Sequence, residues 1–344
     1  MRRQYNHANN SIIEIIILLL TYSVCASSQS RSGNVYEFLD MPTTSRMTAL
    51  GGTHAVLGAN DINFVLHNPA ALSDTMSNSI GFNFTPLKAG IKSGSVAYSH
   101  YVSQLKGSLM LAVQYVNYGT FDETDEEGTN IGTFTAQETA LHLTYSRTLS
   151  PTFTMAATLK PIFSSLAEYK SCGLAMDMGA YYRASNGRFR AGLVVRNVGA
   201  QITNYSGEDV DEKLYTDLRI GISYKAEHAP FRITTTLKDL FHWDLSVDRS
   251  NKISFGDNLM RHFIFGVEFV PSEKIFAAFG YNHRLRKENR DSSVGGAAGI
   301  SWGVGFRIAK IDIAYGMGKY HTAGAANSIT LSTYINRFIK TNGR

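Results

Sequence analysis

Ten histidines, two cysteines and one dense run of carboxylates are the side chains of this 344-residue chain with the most chemical reach. Nucleophilic hydrolysis needs a Ser or Cys within bonding distance of a His, and a third group that orients the His. His142 and Ser146 share a face of one extended stretch but stand four residues apart, too far to bond, while Ser99 and His100 point to opposite faces. A metal site needs ligands at matched spacing. His54, His67, His100, His142, His228, His242, His262, His283 and His321 lack that spacing, and His7 lies in the leader. Gly295-Gly296-Ala297-Ala298-Gly299 precedes a strand and lacks the Lys-Ser/Thr of a phosphate loop, so it reads as a loop root. The expectation is no catalytic residue, no cofactor and no metal.

Recognition chemistry is what remains. Asp122, Glu123, Asp125, Glu126 and Glu127 crowd five carboxylates onto the tip of one connection. Such runs are ordinarily solvated and self-repelling; the sharper use is docking of a basic partner, or a Ca²⁺-assisted contact with lipopolysaccharide. His242, Trp243 and Asp244 mark a second connection, where an exposed indole would anchor a partner and a packed one would cover the fold.

The elements that position these groups alternate apolar and polar residues with period two. From Tyr215 to Lys225, Thr216, Leu218, Ile220, Ile222 and Tyr224 take one face, while Asp217, Arg219, Gly221, Ser223 and Lys225 take the other. One face suits lipid and the other water, and in lipid a sheet can leave no unpaired edge, so it must close on itself. Fourteen such segments are expected, near 78–86, 91–101, 107–118, 137–147, 153–164, 172–183, 188–198, 214–225, 230–239, 261–270, 274–283, 298–308, 310–318 and 325–338. The fold class is therefore all-β: a fourteen-stranded antiparallel transmembrane barrel of an outer membrane. Short connections alternate with long ones, which begin at Gly119, Gly199, Leu240 and Arg284 and are assigned to the outside.

Composition alone would conceal this fold. A 44% hydrophobic content, 18% charged residues and mean hydropathy of -0.12 resemble a soluble protein. The net charge of +5 is scattered, with no basic block of the kind that binds nucleic acid. Arg2 and Arg3 before the apolar stretch Ile12–Leu20 make residues 1–26 a cleavable signal peptide. Loss of Cys25 with that peptide would leave Cys172 alone, with no intrachain disulfide and no paired-cysteine zinc site.

The other expected parts are an N-terminal segment at 27–77, the barrel at 78–338 and a tail at 339–344. Residues Ser45 to Asp74 lack the period-two pattern, which predicts a compact loop and short helix folded into the lumen as a plug, or packed beneath the rim. Inward positions carry Arg188, Arg190, Arg196, Arg219, Lys225, Arg232, Lys238 and Arg307 against Asp177, Asp217, Glu268 and Asp312, a set that could pin the plug or pass an anionic solute. Aromatics form two girdles on the lipid face. Tyr98, Tyr145, Tyr182, Tyr224, Phe269, Phe306, Phe153, Phe189 and Phe231 mark one, and Tyr115, Phe163, Tyr281 and Tyr315 the other.

Ala49-Leu50-Gly51-Gly52 followed by Asn68-Pro69-Ala70-Ala71-Leu72 and fourteen strands resembles the fatty-acid-transporter-like barrels of outer membranes, whose N-terminal segment sits in the lumen. Gly51, Gly52, Asn68 and Pro69 are the plug motif that the resemblance marks. Ala112–Gly119, Asp125–Gly128, His228–Arg232 and Trp243–Leu245 are more similar to the PorQ-type barrels of the type IX secretion system, over residues 35–338. The six residues after Phe338 depart from that pattern, and PorV-type barrels fit the strands equally. The resemblance implies a non-enzymatic barrel that holds a PorZ-like surface protein beside PorU and PorV, where secreted cargo is processed and linked to lipopolysaccharide. The rival it permits is a channel for hydrophobic small molecules.

Overall fold

The structure, a computed structural model, describes residues 34–58, 60–205, 213–246, 253–288, 298–321 and 324–338. Residues 1–26, the loop root at 295–297 and the tail at 339–344 lie outside them. Fourteen antiparallel strands close into a barrel in chain order: β1 Ser79–Pro86, β2 Lys92–Val102, β3 Gly107–Thr124, β4 Asn130–Ser150, β5 Phe153–Leu166, β6 Tyr169–Arg183, β7 Phe189–Thr203, β8 Asp217–Lys225, β9 Phe231–Leu237, β10 Phe263–Ser272, β11 Ile275–Asn282, β12 Ile300–Ile308, β13 Ile311–His321 and β14 Gly324–Tyr334. β14 returns to β1 in register from Ile329↔Phe84 to Tyr334↔Ser79, so the sheet has no edge within the membrane.

The alternation holds side chain by side chain. On β8, Ile220, Ile222 and Tyr224 are exposed to the lipid side, whereas Asp217, Arg219 and Ser223 are buried in the lumen. One girdle is visible as cross-strand pairs at a single level: Phe153 opposite Tyr182, Tyr224 opposite Phe189, and Phe231 opposite Phe269 with ring centroids 5.5 Å apart. At the other rim Tyr115 and Phe163 are exposed, while Tyr281 and Tyr315 are half-covered by neighbours.

The barrel differs from expectation at its outer rim. The connection from Gly119 is not a loop: β3 and β4 run on past a register shift at Asn117/Gly119 and turn only at Asp125–Thr129. Thr120, Phe121, Ile131, Thr133 and Phe134 supply strand propensity on both arms, a signal that the carboxylates obscured. The last strand ends at Tyr334, and Ile335–Arg337 form a 3₁₀ turn.

The segment that precedes β1 fills the lumen. At the outer end Asn34–Val35 pair in parallel with Lys213–Leu214, ahead of β8; at the short-turn end Ser99 Oγ donates to Met76 O at 2.6 Å. Between them lies the short helix α1, Ser45–Ala49, followed by tight turns. Asn68 explains the Asn-Pro pair: its Oδ1 caps Ala70 N at 3.1 Å, Pro69 fits a first turn that needs no N–H, and Nδ2 ties back to Ala55 O at 2.8 Å. Met47, Leu50, Leu57 and Phe64 form a core with Tyr181, Phe276 and Ala278 of the wall, and Tyr36, Phe38 and Leu39 form another higher up with Val116, Ala140 and Ile162.

Wall glycines let the plug backbone approach. A Cβ on Gly280 would overlap Leu50 C and Gly51 N, and one on Gly316 would overlap Ser45 O. Gly280→Val is therefore expected to displace the plug, because backbone rather than a yielding side chain occupies the space. Trypsin should then cut at Arg46 in the folded barrel, as it should not in the parent.

Two further helices stand in the long connections that begin near Leu240 and Arg284. These are α2, Phe255–His262, capped by Ser254 Oγ on Asp257 N at 3.3 Å, and α3, His283–Glu288, with an Arg284–Glu288 ion pair at 2.6 Å. Cys172 is a free, half-buried thiol on β6.

Candidate functional site

Asp40, on the plug, is the hub of the lumen. Its carboxylate meets Arg219 of β8, Arg196 of β7 at 3.2 Å and Lys238, just after β9, at 3.0 Å. Burial alone would raise its pKa, but Arg219, Lys238 and Arg196 outweigh that and hold the carboxyl well below the usual carboxylate range. Around this hub Arg219 also bonds Asp217, Lys160 meets Asp177 at 2.5 Å, and Arg284 meets Asp239 at 2.7 Å. A second knot lies lower, where Glu268 sits between Arg46 of α1 at 3.4 Å and Arg232 at 3.3 Å, and the Arg46 guanidinium covers the Phe276 ring at 3.7 Å. The cations thus find partners on the plug or on adjacent strands, and the chemistry of the arrangement is fastening.

Of the expected charges, Arg196, Arg219, Lys238, Asp177, Asp217, Arg232 and Glu268 belong to these knots, and Arg190 donates to Leu57 O at 3.3 Å. Arg188 pairs instead with Glu227, between two neighbouring short turns at the rim, Arg307 pairs with Asp312 across one such turn, and Lys225 stands at that rim opposite Arg232. The sequence reading missed Asp40, Lys160, Asp239 and Arg284. Lys160 shares inward parity with Thr158 and Ile162 and was legible; Asp40 lies in an aperiodic stretch that carries no such signal.

Beside the hub, two clefts open toward the outer mouth, of about 210 Å³ between Tyr36, Leu39, Met41 and Tyr215, and about 130 Å³ between Pro42, Thr53, Arg261 and Arg284. Both are smaller than the ~300 Å³ of pockets that hold drug-sized ligands, but the larger exceeds the ~150 Å³ that suffices for one benzene ring. In the wall beside the plug β2–β3 pair continuously from Lys92↔Asn117 to Val102↔Gly107, and β3–β4 from Ser108↔Ser146 to Asn117↔Gln137, whereas β4–β5 skips Leu141 and His142 opposite Pro161 and Lys160, and β6–β7 shifts register at Met176/Met178.

The expected docking residues lie on the outer rim in two separate places. Asp122, Glu123, Asp125, Glu126 and Glu127 occupy the exposed end of the β3–β4 ribbon. His242 and Trp243 follow β9, six strands around the barrel, so the two groups do not form one patch. His242 stacks on Tyr215 at 4.5 Å; Trp243 stacks on His262 at 4.8 Å and lies 5.9 Å from Phe255, while Asn258 and His262 bond its carbonyl. Asp244 Oδ1 accepts from Ser246 N at 3.0 Å. The indole packs over the mouth on one face and leaves 46% of its surface exposed. Gly51 and Gly52 end the α1 turn against β11, and Asn68 and Pro69 lie against β6 and β7.

No protein-family model matches the chain, and no curated protein does. Solved structures with the same fold include the Ralstonia pickettii toluene transporter TbuX, 11% identical with a TM-score of 0.51, covering 86% of this chain and 97% of that one. The P. putida toluene transporter TodX is 10% identical with a TM-score of 0.52, covering 86% of this chain and 99% of that one. At such identity the likeness is one of architecture, the closed fourteen-stranded antiparallel barrel.

Proposed function

We propose that this chain is a non-enzymatic outer-membrane barrel that works at its outer face, as a PorQ-like component of the type IX secretion system holding a PorZ-like surface protein beside PorU and PorV. The observation that carries this reading is the fastened plug. A lumen crossed by chain that is salt-linked to the wall at Asp40 and Arg46 leaves the projecting outer rim as the part free to act.

The second reading is passage of hydrophobic small molecules, and the solved neighbours favour it more directly, since both are toluene transporters. Under that reading the plug must shift for a solute to pass. Deleting Glu123–Glu127 together with Trp243→Ala separates the two. Surface retention of the partner should be lost, with the protein found in the medium, while uptake of toluene is unchanged. Retention intact and toluene uptake abolished by a disulfide locking the plug would establish the channel instead.

A further inference from the structure

We propose that the outer part of the β3–β4 ribbon is a strand-addition site that takes an extended, basic segment of a surface protein seated over the barrel mouth. This deepens the platform reading and rests on it.

The ribbon outlasts its neighbours. β2 pairs with β3 only as far as Asn117, and β5 follows β4 only as far as Ala136, with one more bond from Ala167 N to Thr135 O at 3.1 Å. Beyond those points the two arms pair with each other alone, from Gly119↔Ala136 to Thr124↔Asn130, so each arm presents a second edge of N–H and C=O groups to solvent. Two strands by themselves are marginal in water, and soluble proteins guard such edges with Lys, Pro or a cover. Here no Lys or Arg occurs between Lys106 and Arg147. The guard is carboxylate alone, which repels acidic strands and a second copy of the ribbon but attracts a basic strand.

Side-chain parity gives the orientation. Phe134 alternates with the lumen-facing Ala136, Glu138 and Ala140, and it stacks on Phe121 at 5.3 Å, so the ring pair faces the space above the closed lumen. Phe121 keeps 43% of its surface exposed, and Ile131, at the register shift between Glu123 and Thr124, keeps 62%. Glu123 shares the face of Phe121, Asp122 takes the other, and Asp125, Glu126 and Glu127 hold the tip. A partner strand along either edge would set alternate side chains against the rings and its cations against the carboxylates, which is how added strands combine backbone affinity with side-chain selection.

The test uses the full chain in phosphatidylcholine nanodiscs and a fluorescein-labelled peptide of alternating Lys and Val. Saturable binding that weakens with salt is expected. It should fall on the order of tenfold or more in Phe121→Ser/Phe134→Ser and in Glu123→Lys/Glu126→Lys. The same peptide with alternate amides N-methylated should not bind. Equal binding of the methylated peptide, or no effect of the Phe substitutions, would overturn strand addition and reduce the ribbon to a charged surface. Partner retention measured on the same variants keeps the two ideas apart: retention lost with methylation-insensitive peptide binding sinks the strand site and leaves the platform standing.

Discussion

Arg219→Met is expected to destabilise the folded barrel by about 3–5 kcal/mol, the cost of breaking a buried ion cluster by removing one member. Arg219 is 1% exposed and bonds both Asp40 of the plug and Asp217 of its own strand. Without it Asp40 keeps Arg196 and Lys238, but Asp217 loses its direct cation and stays at 0% exposure. Urea unfolding read by the heat-modifiable band shift should show the loss. Arg307→Met, across a solvated short turn, should cost less than about 1 kcal/mol. Adding Asp217→Asn to Arg219→Met should recover much of the deficit, because the charge left unpaired is then gone. Equal, small effects of Arg219 and Arg307 would mean that the lumen is wet around the hub and that the plug is not fastened by charge.

Much of the barrel was readable because lipid imposes a strict rule: every second side chain on a strand such as β8 must tolerate hydrocarbon, and any slip would bury Arg219 in it. No comparable rule governs the plug. Its capping by Asn68 and the glycine approach at Gly280 depend on which backbone lies opposite, and that pairing joins residues far apart in the chain. The ribbon was missed for a different reason. Above the membrane both faces meet water, the alternation of polarity lapses, and only the Thr, Ile and Phe content of its arms marks it as strand. Trp243 shows a limit of composition, since its exposure depends on His262 and Phe255 of α2, a helix whose first residue lies twelve positions further on.

Acidification should loosen the plug through His54. Its ring is fully buried, and in the neutral form Nε2–H donates to Leu50 O at 3.0 Å while Nδ1 accepts from the Thr236 hydroxyl at 3.0 Å. Burial pushes its pKa down from 6.5 to about 4, and nearby Arg219 and Lys238 add to the effect. An unfolded chain takes up that proton near pH 6.5, so between 6.5 and about 4 the unfolded state binds more protons and stability falls as pH falls. The contribution is complete above about pH 6.5, and at ~1.4 kcal/mol per unit roughly 3 kcal/mol of it is gone by pH 4. His67, equally buried and held well below its ordinary value, acts in the same sense. Asp40 acts lower still, because its depressed carboxyl contributes stability that is present above the usual carboxylate range and is lost as pH drops through its folded value. Urea midpoints for the parent should therefore decline from pH 7 to pH 4.5. In His54→Gln, where the amide can keep both bonds, the slope over that window should be visibly shallower. An unchanged slope in His54→Gln/His67→Gln would place the acid response outside the plug.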